Sequence, residues 1–375
     1  MGFIRHIPGT RPIEPVRHHD KTLGVGVLGL HEGRTLLLSL STRCSDARPV
    51  AGCDLSHEKI EASKNELPAL FYTTDYETML KRRDVDIVAI YTPDAQHGKH
   101  IVKAFEAGKH VICTKPLVNS FDDARLILEA GRRTGCRLLV GQSTRFFEPF
   151  RRQRAAYERG DLGTLELVDA HYIHRMDWYY DKSPWVAKGT DWVFLGLSHP
   201  IDLLRWYLGP IERVGAMAST SALGRERGVV GPDIYIVNAF SQSGALGRAM
   251  GHYGCHELPR ARNCIELMLY GSDSTSQAQY HDMRYTHLAK DGTEVVEDSL
   301  YAGRHYYFNS EVHGMHYGEF ANYAEHFARS IIDNTDASPS LEEGVETFCI
   351  MEAVRRASRE GVPVEVRPLL KQVGL

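Results

Sequence analysis

From Leu23 to Val140 the chain repeats one pattern: a short apolar run, often β-branched, followed by a helical stretch. The apolar runs fall at 23–28, 49–53, 85–91, 110–113 and 138–140, and the helical stretches at 33–40, 57–64, 76–81, 97–107 and 121–134. A helix between two strands is long enough to carry the chain back across a sheet, so consecutive strands run parallel with helices on both faces. Around 121–134 the punctuation is explicit, with Ser120 placed as N-cap and Gly135 as the C-terminal stop. Open parallel sheets bind ligands at the carboxyl ends of their strands.

The texture changes near residue 145. Runs at 165–174, 211–222, 233–241, 245–253 and 264–271 read as strands, with Gly244 turning a hairpin between two of them. Helices return at 319–332 and 341–359, the second ended by Gly361 and Pro363, and are expected to pack on the first domain or on the second sheet. The expected class is α/β: an extension over 1–21, a parallel-sheet domain over 22–145, and an α+β domain over 146–375 with a large, mostly antiparallel open sheet. A chain of 375 residues accommodates two such domains at about 150 residues each.

Composition narrows the partners. Lys plus Arg number 44 against 48 Asp plus Glu, a formal charge of −4, which argues against a nucleic-acid-binding face. No apolar run reaches the 18 residues of a membrane span. Seven scattered cysteines without a Cys-x-x-Cys spacing point to a reducing compartment and to no zinc ribbon. The first twenty residues hold charges and prolines rather than the apolar core of a secretory signal, so the expected location is cytoplasmic. Neither His18/His19 nor His252/His256 forms a convincing metal-ligand set, and no required metal is expected.

A dinucleotide site needs glycine where a strand turns into a helix, so that backbone can approach the pyrophosphate. The turn here reads Gly26-Val-Leu-Gly29-Leu30-His31-Glu-Gly33-Arg34; aligned on Gly29, His31 and Arg34 stand where the second and third glycines belong. Asp54 closes the second strand, where a carboxylate can accept the adenosine ribose hydroxyls and disfavour a 2′-phosphate. Helix capping is its alternative role. Together these residues predict a dinucleotide cofactor, NAD ahead of NADP.

Further along, Ala89-Ile-Tyr-Thr92-Pro93-Asp-Ala-Gln-His97 is followed by Ala107-Gly-Lys-His-Val-Ile-Cys-Thr114-Lys115-Pro116. With Gly141-Gln-Ser-Thr-Arg145-Phe146, Leu197-Ser-His199-Pro-Ile-Asp202, Ser340-Leu-Glu-Glu-Gly-Val and the segment ending at Val364, the chain resembles the Gfo/Idh/MocA family over about 22–366. The resemblance implies a Rossmann domain, an NAD(P)-dependent oxidoreductase acting on sugars or polyols, and a homodimer or homotetramer. It implies cofactor contacts from Gly29, Leu30, His31, Asp54, Thr92, Pro93, His97, Thr114 and Lys115, catalytic roles for Lys115 and His199, and substrate contacts from Lys115, Arg145 and His199.

Chemistry supports the pair. A histidine suits transfer of the hydroxyl proton, and an ammonium stabilises developing alkoxide. His199 also reads as a helix N-cap ahead of Pro200, with Asp202 as the acid three residues on; Asp202 is a substrate contact in the alternative. Trp178, Tyr179, Tyr180, Trp185 and Trp192 offer flat rings for a sugar, with Asp177, Arg175 and Lys182 for its hydroxyls, or else an aromatic core. The substrate is expected in a cleft between the two domains.

Three departures from the family pattern stand out: His31 for glycine, Thr114 for the glutamate of Glu-Lys-Pro, and Leu195 for the acid four residues before His199. They leave two other readings open: an enzyme that keeps its NAD and oxidises a glycoside transiently for elimination or hydrolysis, and a non-catalytic NAD-binding sensor.

Overall fold

The computed structural model describes residues 3–6, 19–43, 46–256, 264–299 and 318–375. Residues 7–18 of the expected extension, including His18, lie outside the described residues. The chain divides into two compact units, one of residues 12–146 with 303–345, the other of residues 1–11, 147–302 and 346–375.

The first unit is a parallel sheet. Its strands are β2 (Leu23–Leu28), β3 (Ala47–Cys53), β4 (Phe71–Thr73), β5 (Ile87–Ile90), β6 (His110–Thr114) and β7 (Leu138–Gly141), β1 (Phe3–His6) belonging to the other unit. Their order is β4-β3-β2-β5-β6-β7, all parallel, so the direction of winding reverses between β2 and β5. That reversal opens the crevice in which such sheets bind ligands. Helix Phe121–Thr134 is bounded as the sequence specifies: Ser120 Oγ accepts from Asp123 N at 3.1 Å, and Gly135 adopts φ +68°.

One side of this unit is closed by a helix from far along the chain, Glu319–Ile332. Its Tyr323, Ala324 and Phe327 are buried with Leu23, Val25 and Val27 of β2 and with Leu36 and Leu37 of helix Gly33–Arg43. Polar contacts fix its register. Glu325 accepts the N–H groups of Asp46 (3.0 Å) and Ala47 (3.1 Å), and Arg329 pairs with Asp46 at 3.0 Å.

The second unit is built on a ten-stranded sheet. Its further strands are β8 (Leu165–Ile173), β9 (Ile211–Ser219), β10 (Ile234–Ser241), β11 (Leu246–His252), β12 (Ile265–Gly271), β13 (Thr275–Tyr280), β14 (Arg284–Leu288), β15 (Glu294–Asp298) and β16 (Val364–Glu365). The order is β1-β15-β14-β13-β12-β8-β11-β10-β9-β16, antiparallel except at β1/β15 and β8/β11. Helices Glu148–Glu158 and Ser198–Leu208 cover one face: Gln153 Nε2 donates to Leu267 O and Ser276 Oγ, both at 3.1 Å, and Leu204 and Leu208 pack over Gly247. The opposite face carries exposed Met217, Ile236 and Leu246.

Asp46 also binds His19, whose Nδ1 lies 2.6 Å from Oδ1, while His19 Nε2 lies 3.1 Å from Asp333. The hydrogen bond to Asp46 raises the His19 pKa above its ordinary 6.5, against the opposing effect of burial. A raised histidine pKa gives stability that is full below pH 6.5 and is lost as pH rises through the folded-state value. His19→Gln is therefore expected to lower the urea midpoint at pH 6 and to leave it nearly unchanged at pH 9.

Candidate functional site

At the switch point the fold demands one glycine without compromise. Gly29, at the end of β2, has φ +95°, and a Cβ there would lie 2.5 Å from the Tyr91 carbonyl oxygen. Its N–H donates to Cys53 O at 2.8 Å, and Tyr91 N–H donates to Leu28 O at 2.8 Å, which locks the ends of β3, β2 and β5 together. Gly33, in the first turn of helix Gly33–Arg43, is equally confined: its Cβ would meet Val27 Cγ1 at 2.5 Å. Close helix–strand packing is the task of the fingerprint's third glycine. The glycine packed on β2 is thus Gly33 rather than the position of Arg34, which forms an ion pair with Glu66.

Asp54 faces the same turn. Its Oδ2 accepts from Leu30 N–H at 2.7 Å and its Oδ1 from Ser56 N–H at 2.9 Å. The cap of helix His57–Glu66 is Ser56, not Asp54. An ionised carboxylate has about four acceptor sites, so Asp54 keeps capacity for ribose hydroxyls after these two bonds. Leu30 points its side chain into the core and offers only main chain here, while His31 is half-buried beside it. A confined glycine at a strand–helix turn with a carboxylate beside it fits a dinucleotide.

The next two loops are tied by His97. Its Nδ1 lies 2.9 Å from Pro116 O and its Nε2 lies 2.7 Å from Thr92 O, and the ring is buried. With both nitrogens turned to main-chain carbonyls, His97 positions its neighbours rather than presenting an atom to a ligand. Those neighbours are Thr92 and the exposed Pro93 after β5, and Thr114 and Lys115 at the end of β6. Lys115 is half-buried, and burial pushes its pKa down to about 8 against the opposing attraction of Glu32 and Asp94. Arg145 is placed differently from the expectation of substrate contact: its buried guanidinium donates to Ser338 Oγ at 2.9 Å and lies 3.6 Å from Glu343, bracing the α/β unit internally.

In the sheet unit, His199 is 5% exposed within the first turn of helix Ser198–Leu208. The helix starts two residues earlier than the capping reading requires, and Leu197 flanks it without a side-chain cap, so His199 is not an N-cap. Asp202 is the fifth residue of that helix, buried, and so not its capping acid. Asp191 caps helix Trp192–Leu195 and accepts from Tyr235 at 3.2 Å, and Asp177 binds Arg175 at 2.6 Å. Tyr172 of β8 packs on His199, ring centroids 5.6 Å apart at 68°.

The aromatic segment divides in two. Tyr180 and Trp192 are core, Trp192 stacking on Tyr253 at 4.5 Å, whereas Trp178 and Trp185 are 45% and 37% exposed. Trp178 approaches His174 at 6.0 Å, and His174 approaches His281 at 6.0 Å. Tyr172, His174 and His281 escape a reading of the sequence because they meet only through the pairing of β8, β12 and β13. Among the described residues, no group of three or more His, Cys, Asp or Glu could hold a metal ion.

Comparison with known proteins matches two family models, the oxidoreductase family NAD-binding Rossmann fold over residues 23–142 and the oxidoreductase family C-terminal alpha/beta domain over 154–366. The chain is 31% identical over 187 residues to 1-carboxy-3-chloro-3,4-dihydroxycyclohexa-1,5-diene dehydrogenase of Comamonas testosteroni, covering 48% of this chain and 46% of that one. To inositol 2-dehydrogenase of Mycolicibacterium gilvum it is 31% identical over 228 residues, covering 58% and 60%. The aligned stretches thus span roughly half of these curated relatives. Among solved structures, an oxidoreductase from Agrobacterium radiobacter in complex with NAD+, L-tartaric acid and magnesium superposes with a TM-score of 0.80 at 18% identity, over 93% of this chain and 100% of that one. No described helix is long and apolar enough to cross a membrane. On the two domain matches, which together span most of its length, the chain belongs to the Gfo/Idh/MocA oxidoreductase family.

Proposed function

We propose that the protein is an NAD-dependent dehydrogenase that transfers hydride between a secondary hydroxyl of a sugar, glycoside or cyclitol and nicotinamide. The observation that carries this reading is Lys115: a lysine at the carboxyl end of a central parallel strand whose pKa burial brings down to about 8. A lysine so poised at a cofactor-binding edge is a functional group at a cost in stability. The inositol and chlorodihydroxy-cyclohexadiene dehydrogenases among its relatives act on ring hydroxyls, which supports this substrate class.

Bound NAD supplies the hydride acceptor. Gly29 lets main chain approach the pyrophosphate, and Asp54 accepts the ribose hydroxyls. Lys115, as ammonium, donates to the substrate oxygen while its hydroxyl proton passes to His199. His97 keeps Thr92 and Lys115 in register. Substrate recognition falls to the aromatic and imidazole groups of the sheet unit, with Arg145 held in place by Ser338 and Glu343 through its Nη1. We assign cofactor binding to the unit of residues 22–146 together with the returning helix Glu319–Ile332, and substrate and assembly to the sheet unit, so that the expected boundary of 146–375 gives up that helix to the cofactor side. The exposed apolar face with Met217 and Ile236 supports a homodimer or homotetramer, and a monomeric mass by light scattering at micromolar concentration would refute that.

Asp54 sets the cofactor preference. A 2′-phosphate would meet its charge and its volume, so NAD is expected to bind at least about tenfold tighter than NADP, and Asp54→Ala to narrow the gap. Calorimetric titration of both cofactors decides it, equal affinities in the parent protein being the contrary result.

For the chemical step, Lys115→Ala and His199→Ala are each expected to lower turnover by about 10² to 10⁴, with the larger loss at Lys115. The readout is absorbance at 340 nm at saturating NAD, across sugars, glycosides and inositols. Product without net NADH would favour transient oxidation, and unchanged turnover in Lys115→Ala a sensor. The same lysine gives a stability test. Its folded pKa of about 8 lies below its ordinary 10.5, so its burial costs most below pH 8 and the cost fades as pH rises toward 10.5. Lys115→Met is expected to raise the urea midpoint at pH 7, with the gain shrinking above pH 8.

A further inference from the structure

Proton transfer through His199 makes a demand that the residue's own rotamer does not meet. An imidazole turns about its Cβ–Cγ bond in a broad, roughly two-fold well, which leaves the direction of its ring nitrogens open. A general base has to lie within hydrogen-bond reach of the proton it takes, and a neighbouring carboxylate is one means of holding it there. The family pattern keeps such an acid four residues before the histidine. In this chain that position is Leu195, which is buried.

The sheet unit brings a row of aromatic rings up to the same histidine. Tyr172 of β8 meets His199 with centroids 5.6 Å apart and planes at 68°. Tyr172 is itself held by Tyr253, at 5.4 Å and 76°, and by His174, stacked at 6.4 Å and 18°. Tyr253 stacks on Trp192 at 4.5 Å and 16°, and both are buried. Two glycines make room for this row. Gly251 of β11 pairs with Tyr172, and a Cβ on it would lie 2.5 Å from Tyr253 Oη. At Gly196, ahead of His199 in the chain, a Cβ would lie 2.3 Å from Tyr253 Cζ. Without those two side chains Tyr253 lies against Tyr172, and the ring beside His199 is anchored in the core. Aromatic pairs favour tilted and offset arrangements over free rotation, so an anchored Tyr172 selects one plane for the imidazole.

We infer that Tyr172 is a positioning residue: its ring, anchored through Tyr253 and Trp192, fixes the plane of the His199 imidazole for proton transfer. Packing of rings does here what a hydrogen-bonded acid does in the family pattern. The inference rests on the reading that His199 takes the substrate's proton, and Tyr172 itself exchanges none.

The test uses the full chain with isotope-labelled histidine, His199 being assigned by the signal lost in His199→Gln. A ring packed on an imidazole displaces its carbon-bound proton resonances from the position of free histidine. That displacement is expected in the parent protein, nearly kept in Tyr172→Phe and lost in Tyr172→Leu. Parent resonances at the free position, or resonances equally displaced in Tyr172→Leu, overturn the inference. Should Tyr172→Leu fail to fold, the parent and Tyr172→Phe spectra decide. Turnover of sugars, glycosides and inositols at saturating NAD is the second readout. Tyr172→Leu is expected to lower kcat about tenfold with KM within about twofold, and Tyr172→Phe to lower kcat less than about threefold. An equal loss in both variants overturns the inference, because it assigns the effect to the hydroxyl. A raised KM with kcat unchanged also overturns it, because Tyr172 is then a substrate contact. A parent protein that oxidises none of the compounds sinks the dehydrogenase reading, and the His199 resonances then decide the positioning alone.

Discussion

The α/β unit is organised around a place where a side chain cannot go. At Gly29 the carbonyl of Tyr91 occupies the space of a Cβ, and four residues later Val27 does the same at Gly33. These two exclusions let β2, β5 and helix Gly33–Arg43 come closer than side chains would permit. Everything proposed for the cofactor edge inherits its position from that approach. Leu30 N–H meets Asp54 because the turn is tight, and Thr92 follows directly from the strand whose carbonyl fills the gap. His97 then carries the geometry across to the end of β6 through two main-chain oxygens. Fixing one loop therefore fixes three.

Much of this was legible in the sequence because it is local. Period, β-branching and caps give strands and helices whose ends agree with the structure within a few residues, and Ser120 and Gly135 bound their helix as their chemistry requires. The parallel sheet and the large mostly antiparallel sheet followed from such signals, and the family from the resemblance of its motifs. Six strands did not: β1, β4, β13, β14, β15 and β16. In β13 the buried positions are Ser276, Ala278 and Tyr280, so the inward face is mostly small or polar and has no apolar alternation to read. Those positions are buried because helix Glu148–Glu158 covers them and Gln153 hydrogen-bonds Ser276. The strand is specified by its cover, which no window of sequence contains.

The candidate site shows the same boundary. The strand–helix spacing pointed to Gly29 and Asp54 and the family resemblance to Lys115, but counting from Gly29 set the packing glycine at Arg34, one residue after the glycine that packs on β2. Of the five aromatic residues grouped in the sequence, burial makes Tyr180 and Trp192 core rings, leaves Trp178 and Trp185 exposed, and sets Tyr179 half-buried between them. Arg145 looked available and is committed to Ser338 and Glu343, nearly two hundred positions away. Long-range partners decide which polar residues are free for chemistry, and long-range partners are what a linear reading lacks.

The helix Glu319–Ile332 carries a consequence for biosynthesis. All six strands of the α/β unit lie before residue 142, yet Tyr323 and Phe327 complete its core and Glu325 holds the first residues of β3. During synthesis the early strands emerge from the ribosome with one apolar flank uncovered, and they wait for roughly half the chain to follow before it is sealed. The α/β unit is thus read out first and finished late, and in that interval part of its apolar surface has no cover of its own. A premature stop between residues 146 and 318 would release a nascent chain that holds every residue proposed for the cofactor and no closed core to support them.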